Sequence, residues 1–401
     1  MIGPVLLVNY VLPPVANAVA LQNGRFVQSL INYGVSTISV VKSTPEKRFN
    51  ESSIVIKETP NKIARHLFTG WLNDLKYLPD IESYTWKPRV IRKLRSNIDF
   101  SRLLWIQTTS SPMASHLVGL ELKNRFKRPW VAQFYDPWID NTYRTYLTGR
   151  ALYYNERLER DVAFNADVII HTNDIIKERW VERYGNEIQN KIVVIPLLTD
   201  EKITCDEISK HREDGRINFV HAGGIYGERR IDSLVEALLL ARKEGFDLEG
   251  KMKVTLMGIM QPESMRLVRE AGLSEMFRVL PPQGPDDVRK VVSESDILML
   301  IEAPDTESVF FPSKICEYFS YRKPIFGLTA CDSPGKRMLG ESGHLSVPVA
   351  DPIAIKSAIV DLVVHRKRIV GDDLFYKRFL PETIMKAYFD FLTYKGIVYE
   401  N

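Results

Sequence analysis

Short apolar, β-branched runs separated by helical segments recur along this chain. Val5-Leu6-Leu7-Val8 reads as a buried strand, followed by a turn at Pro13-Pro14 and a helical stretch over Phe26–Tyr33. Thr37–Val41, Leu103–Gln107, Trp130–Phe134, Val168–His171 and Ile192–Ile195 are further strand candidates. Strands alternating with helices predict a parallel sheet with crossover helices. A polar stretch, Thr199–Arg216, interrupts the pattern, which then restarts. The second set of strand candidates is Asn218–His221, Lys253–Met257, Phe277–Leu280, Ile297–Ile301 and Pro324–Leu328. Between the first two lies an amphipathic helix, Ile231–Lys243, with Leu234, Val235, Leu238 and Leu239 at helical spacing. The expected architecture is α/β, with two Rossmann-like doubly wound domains and a cleft between them. The expected boundaries are 1–197 and 198–375, with 376–401 a C-terminal helix packing back toward the first domain.

Composition narrows the class. A chain of 401 residues that is 45% hydrophobic and 26% charged is an ordinary globular protein of two or three domains. No apolar run reaches the roughly 18 residues that span a bilayer. Met1–Leu12 lacks a basic leader and a small-residue cleavage site, so it is expected as a strand and not as a signal peptide. Cys205, Cys316 and Cys331 show no metal-ligand spacing and cannot all pair, which points to free thiols in a reducing cytoplasm and to no metal site. The net charge of +4 is too small to argue for nucleic acid. Its distribution is uneven: residues 1–195 carry 26 Lys and Arg against 18 Asp and Glu, whereas the remainder is net acidic. A basic first half suggests that it faces something anionic.

Two segments carry candidate chemistry. His221-Ala-Gly-Gly-Ile-Tyr-Gly-Glu-Arg-Arg230 follows a predicted strand and opens a predicted helix, whose N-terminus would add partial positive charge. Gly223, Gly224 and Gly227 would let backbone amides approach a phosphate, and Arg229 and Arg230 could clamp a diphosphate. The same glycines also fit a tight turn with solvated arginines. In Phe311-Pro-Ser-Lys-Ile-Cys-Glu-Tyr-Phe319, Lys314 and Glu317 are spaced to share one helical face, where a cation suits a phosphate and a carboxylate suits ribose hydroxyls. A surface ion pair gives the same spacing.

Taken with their order along the chain, these segments resemble retaining glycosyltransferases of family 4, which have the GT-B fold. Pro13-Pro14, the turn Thr109-Ser-Ser-Pro-Met-Ala-Ser-His116 and the strand Pro129-Trp-Val-Ala-Gln-Phe-Tyr-Asp-Pro-Trp138 are similar to first-domain elements of that family. Glu159–Asp167 and Lys191–Pro196 match the stretch that closes that domain, and Gly223-Gly224 and Lys314…Glu317-Tyr318 match the donor-binding elements. The resemblance implies that Gly223, Gly224, Gly227 and Arg229 meet the donor diphosphate. It places Lys314 on phosphate or sugar, Glu317 on the ribose, and Asp136 against the reacting sugar or the acceptor hydroxyl. It implies no metal ion and no cofactor, the nucleoside-diphosphate sugar being a co-substrate.

The chain departs from the family pattern at four places. The loop after the Pro-Pro pair is Val15-Ala-Asn-Ala-Val-Ala-Leu-Gln-Asn-Gly24, in which only Gly24 remains of a glycine-rich stretch. The glutamate eight positions before Glu317 is replaced by Val309, so its sugar contact is missing or comes from Glu302 or Glu307. The domain junction reads Pro196-Leu-Leu-Thr-Asp200. No histidine sits at the first domain's strand end; His116 lies further on, in a predicted helix, as a candidate catalytic residue or a structural one.

On the acceptor side, Ile63–Leu78 lines up Ile63, Leu67, Trp71 and Leu75 on one helical face, and Lys87, Arg89, Arg92, Lys93 and Arg95 follow. The segment from Ile63 to Arg95 fits either peripheral docking on an anionic membrane or a core-facing helix with a solvated basic loop. The expected reaction is transfer of a sugar to a hydroxyl of a glycan or lipid-linked acceptor in surface polysaccharide biosynthesis. The expected setting is the cytoplasm, peripheral on the inner face of a membrane. A sugar-nucleotide epimerase of the same fold, or a catalytically silent nucleotide-sugar binder, are the alternatives. A nicotinamide dehydrogenase is disfavoured, because the first strand-to-helix turn lacks G-x-G-x-x-G.

Overall fold

The structure is a computed structural model that describes residues 2–50, 52–57, 79–80, 82–142, 149–199, 215–305 and 307–399. The chain divides into two compact units, 1–198 joined by 379–401, and 199–378.

The first unit is built on a seven-stranded sheet: β1 (Ile2–Tyr10), β2 (Val35–Val41), β3 (Ser53–Val55), β4 (Ile106–Thr109), β5 (Trp130–Gln133), β6 (Val168–His171) and β7 (Ile192–Val194). The spatial order is β3-β2-β1-β4-β5-β6-β7, and neighbouring strands run parallel. β4, β5 and β6 are buried at every position, as expected of strands covered by helices on both faces. Polar side chains inside the sheet bond to one another: Gln107 Nε2 donates to Gln133 Oε1 at 2.8 Å.

The final helix, Pro381–Tyr394, belongs to this unit. Pro381 stands at its first position, where a missing N–H costs nothing. Ile384, Met385, Tyr388 and Leu392 join the unit's core, and the Tyr388 ring meets Phe26 edge-on, with centroids 5.3 Å apart. The Tyr388 hydroxyl donates to Gln107 Oε1 at 2.5 Å, so a residue far along the chain completes the polar ladder of β4 and β5.

The second unit holds a six-stranded parallel sheet: β8 (Ile217–Ala222), β9 (Met252–Met257), β10 (Phe277–Leu280), β11 (Ile297–Ile301), β12 (Ile325–Thr329) and β13 (Leu345–Pro348), in the order β10-β9-β8-β11-β12-β13. Phe219, Val254, Met299 and Phe326 fill its core together with Leu234, Val235 and Leu238 of the helix Asp232–Lys243. Leu239, grouped with them by spacing, is instead exposed.

The expected α/β class with two doubly wound sheets is what the chain adopts. Boundaries differ where local chemistry outweighs the apolar pattern. The first helix begins at Ala18, well before Phe26, because Asn17 caps it by accepting from Ala20 N at 2.7 Å. β4 starts at Ile106, because Phe100–Arg102 forms a 3-10 turn capped by Asp99. β3 and β13 are short edge strands of half-buried residues, without the apolar run that would announce them.

Tyr388→Ala should destabilise the protein by about 4 kcal/mol, because it empties a fully buried site between two core elements. Tyr388→Phe, which removes the donor to the Gln107 carbonyl, should cost about 1–2 kcal/mol. Urea denaturation of both variants checks the ordering.

Candidate functional site

The order of the second sheet creates a crevice before any side chain is considered. The chain leaves β8 toward β9 on one side, whereas β11 returns on the other, so the loops at the carboxyl ends of β8 and β11 diverge. Ligands of doubly wound sheets bind at such a switch point. Gly223 and Gly224 follow directly on β8, and Glu302 follows directly on β11.

Steric packing explains the glycines. A Cβ on Gly223 would lie 2.9 Å from Nε2 of the buried His221, whereas one on Gly224 would meet the exposed Tyr226 ring, which can move aside, at 2.7 Å. Gly258, just past β9, has a φ of 142° and sits so close that a Cβ there would come within 2.7 Å of the Gly223 carbonyl. The loops after β8 and β9 are therefore pressed backbone against backbone. Ile225 N donates to Ile259 O at 2.8 Å, and Gln261 N donates to Ile225 O at 3.1 Å. Gly227 lies at the exposed end of this turn with a φ of 63°, and its carbonyl accepts from Gln261 Nε2 at 2.8 Å. Gly258 escaped the sequence reading, which weighed the glycines of the β8 turn alone.

One expectation needs correction. The glycine turn does not open a helix: the helix begins at Asp232, and a bridged loop separates it from Gly224. Its first-turn amides are therefore not at Gly224, and positive charge at the turn comes from side chains. The Arg229 Nη1 donates to Gly224 O at 3.1 Å, while its Nε is buried with no partner among the described residues. Arg230 turns outward into an exposed ion pair with Asp232.

The helix Lys314–Ser320 brings the second element to the same place. Lys314 Nζ lies 3.1 Å from Glu317 Oε2, both side chains being partly exposed. Tyr318 is buried, and its hydroxyl accepts from Ala222 N at 2.8 Å, tying this helix to the end of β8. Electrostatics places the groups together. Burial, helped by the charges of Arg229 and Lys314 and opposed by the Met299 carbonyl, pulls the His221 imidazole down to about 4. Burial raises the Tyr318 hydroxyl, which also feels Glu317 and Arg229. Burial likewise raises Glu302, against the lowering effect of Ser333, the Ala330 N–H and Arg229.

Of the two glutamates considered as substitutes for Val309, Glu302 faces inward, and its Oε2 accepts from Ala330 N at 3.1 Å. Glu302 Oε1 lies where a Cβ on Gly335 would come within 2.3 Å, at the start of the helix Pro334–Glu341. It serves that loop and helix start. Val309 is a core residue at 3% exposure, and Glu307 bridges to Asp332 at the surface.

The first-unit candidates are placed as follows. Asp136 is half-buried in the turn just past β5. His116 is fully buried in the first turn of the helix Ala114–Phe126. Its Nδ1 lies 2.8 Å from Thr108 Oγ1, and its ring packs 4.0 Å from that of Phe134. The turn after Asp136 is fixed by charge: Asp140 and buried Glu159 both bind Arg183, and Ile139 N donates to Glu159 Oε2 at 2.9 Å. Burial pushes the Glu159 carboxyl up to about 6. Of the membrane-docking candidates, Ile63–Leu78 lies outside the described residues. Lys87–Arg95 falls on the helix Lys87–Asn97, whose Val90, Ile91 and Leu94 are buried while Arg92, Lys93 and Arg95 are exposed. Among the described residues no helix is long and apolar enough to cross a membrane.

No family profile and no curated protein sequence matches the chain. Its likeness is to solved structures. It is similar to Anabaena HepE in complex with UDP, at 13% identity and a TM-score of 0.69, over 98% of this chain and 100% of that one. It is similar to the sucrose-phosphate synthase of Thermosynechococcus elongatus at 15% identity and a TM-score of 0.65, over 98% and 96% of the two chains. The lipopolysaccharide outer core galactosyltransferase WaaB, in its apo form, matches at 12% identity and a TM-score of 0.66, over 98% and 99%. Similarity at this level over nearly full length establishes the fold, which is GT-B.

Tyr318→Phe should destabilise the second unit by about 1–3 kcal/mol, because the Ala222 N–H is left buried without an acceptor. Denaturant titration of the variant reads this directly, and unchanged stability would mean that the tether is not formed.

Proposed function

We propose that the protein is a glycosyltransferase that moves a sugar from a nucleoside diphosphate to a hydroxyl of a glycan or lipid-linked acceptor, with retention of anomeric configuration. The observation that carries this reading is the convergence at the second unit's switch point of close-approach glycines, Arg229, and a helix presenting Lys314 beside Glu317. Backbone amides, a guanidinium and an ammonium suit a diphosphate, and a carboxylate suits a ribose diol. HepE has been solved with UDP-glucose as well as with UDP, which makes uridine nucleotides the first donors to test.

In this reading Arg229 and Lys314 stabilise the departing nucleoside diphosphate in place of a metal ion. The acceptor hydroxyl enters on the face that the diphosphate leaves. Asp136 is the carboxylate of the acceptor side, and His116, enclosed behind β5, holds that strand end in position. The exposed Arg92, Lys93 and Arg95 favour a peripheral site on the inner face of an anionic membrane, where surface polysaccharide precursors are built. Val309 in the core favours a second reading, a silent nucleotide-sugar binder, since a family contact to the donor sugar is absent there. Product analysis with donor and a glycan panel separates these: a binder yields no transfer, and an epimerase converts donor alone.

Arg229→Ala, Lys314→Ala and Glu317→Ala should each weaken UDP-sugar binding about tenfold or more, a loss of roughly 1.4 kcal/mol, and cripple turnover without unfolding the protein. Titration calorimetry beside thermal melts measures both effects. Wild-type affinity in all three variants would defeat the donor-site assignment.

A further inference from the structure

His221 is the group at the switch point that the transfer reaction leaves unused. It is the penultimate residue of β8, at 4% exposure, just past the point where β8 and β11 part after pairing at Val220 and Leu298. Its Nδ1 lies 3.0 Å from Met299 O, a carbonyl that can only accept, so Nδ1 carries the proton. Nε2 is then a bare lone pair, buried and without a partner among the described residues. It is directed at Gly223, where a Cβ would approach it to 2.9 Å. A buried acceptor left unpaired in this way costs about 1–3 kcal/mol, and it sits beneath the turn to which the donor diphosphate is assigned.

The charge inventory around that turn is short of a cation. Lys314 is offset by Glu317 at 3.1 Å, and Arg230 is spent on Asp232 at the surface. Arg229 makes no ion pair among the described residues, although the Glu302 carboxyl lies within its field. The other groups that act on His221 are the Met299 carbonyl from β11, within hydrogen-bond distance, and the Lys314 ammonium, through its charge. A dianionic diphosphate seated on Gly223 and Gly224 would leave net negative charge in a partly desolvated site. With the site empty, by contrast, Arg229 and Lys314 oppose a further positive charge on the imidazole.

We propose that His221 is a ligand-linked proton site: when a nucleoside-diphosphate sugar occupies the glycine turn, Nε2 takes up one proton from solvent, adds a positive charge beneath the diphosphate to that of Arg229, and returns the proton on release. This inference rests on the donor-site reading above. No bond to the ligand forms or breaks, since the proton comes from and goes back to bulk buffer. The imidazole acts on affinity, and Gly223 is required because any side chain there would fill the contact between Nε2 and the turn.

The sign follows from linkage. The empty-site imidazole titrates at about 4, and a bound anion raises that value. Binding therefore strengthens as pH falls through the liganded value, and the gain levels off below about 4.

UDP-glucose is the probe, because its diphosphate does not titrate in this range. Calorimetry at pH 6 in two buffers of different ionisation heat should give an uptake of roughly half a proton per ligand, and Kd should drop about threefold or more from pH 8 to pH 5.5. His221→Asn, which keeps a donor for the Met299 carbonyl but cannot be protonated, should bind with no buffer dependence and a flat pH profile, its fold checked by thermal melting. Buffer-independent binding by the wild type from pH 5 to pH 7 overturns the proposal without reference to any variant. Uptake that persists unchanged in His221→Asn also overturns it, assigning the proton to Glu302. Failure of UDP-glucose and every other nucleotide sugar to bind would instead sink the donor reading itself, and this inference with it.

Discussion

The arrangement of the second unit follows from how a parallel sheet must be wound. Crossover connections between parallel strands are right-handed, so a sheet that is to carry helices on both faces must start in its middle and reverse once. Here β8 lies in the middle, with β9 on one flank and β11 on the other. At that reversal no crossover covers the carboxyl ends of the strands. The chain is then free to put glycine backbone, a guanidinium and a second helix at the opening, and the proposed donor site depends on that vacancy.

Close approach of backbone to backbone then fixes the opening's shape. Gly258 against the Gly223 carbonyl, and Ile225 bridged to the loop after β9, leave little freedom to the glycine turn after β8. Tyr318 fastens the other wall through the Ala222 amide, so Lys314 and Glu317 are held by a buried contact and not by their own ion pair. A partly exposed pair at this spacing contributes little to stability, which leaves both side chains available to a ligand at small cost.

The two buried glutamates show how position decides use. Glu302 stands at the end of β11, where a family comparison would allow a sugar contact, yet its carboxylate is directed at Ala330 and the start of the helix Pro334–Glu341. Glu159, deep in the first unit, collects Arg183, Tyr184 and the Ile139 amide, and so sets the turn that follows Asp136. Both act by orienting backbone.

The sequence alone determined the alternation of strands and helices, the restart near residue 217, and the two segments, Gly223-Gly224 and Lys314…Glu317, on which the proposed donor site rests. Apolar runs and glycines report on near neighbours, and near neighbours decide which segments become strands and where the backbone can turn tightly. It could not determine that the glycine turn stops short of the helix at Asp232, that Leu239 faces outward, or that Tyr388 and Gln107 are the residues through which the last helix joins the first unit. Nor did it mark His221, whose isolation arises only where β8 and β11 separate, or Gly258, whose constraint is a carbonyl on another loop. Those outcomes depend on contacts between residues far apart in the chain, and such contacts exist only once the strands have taken their places in the sheet.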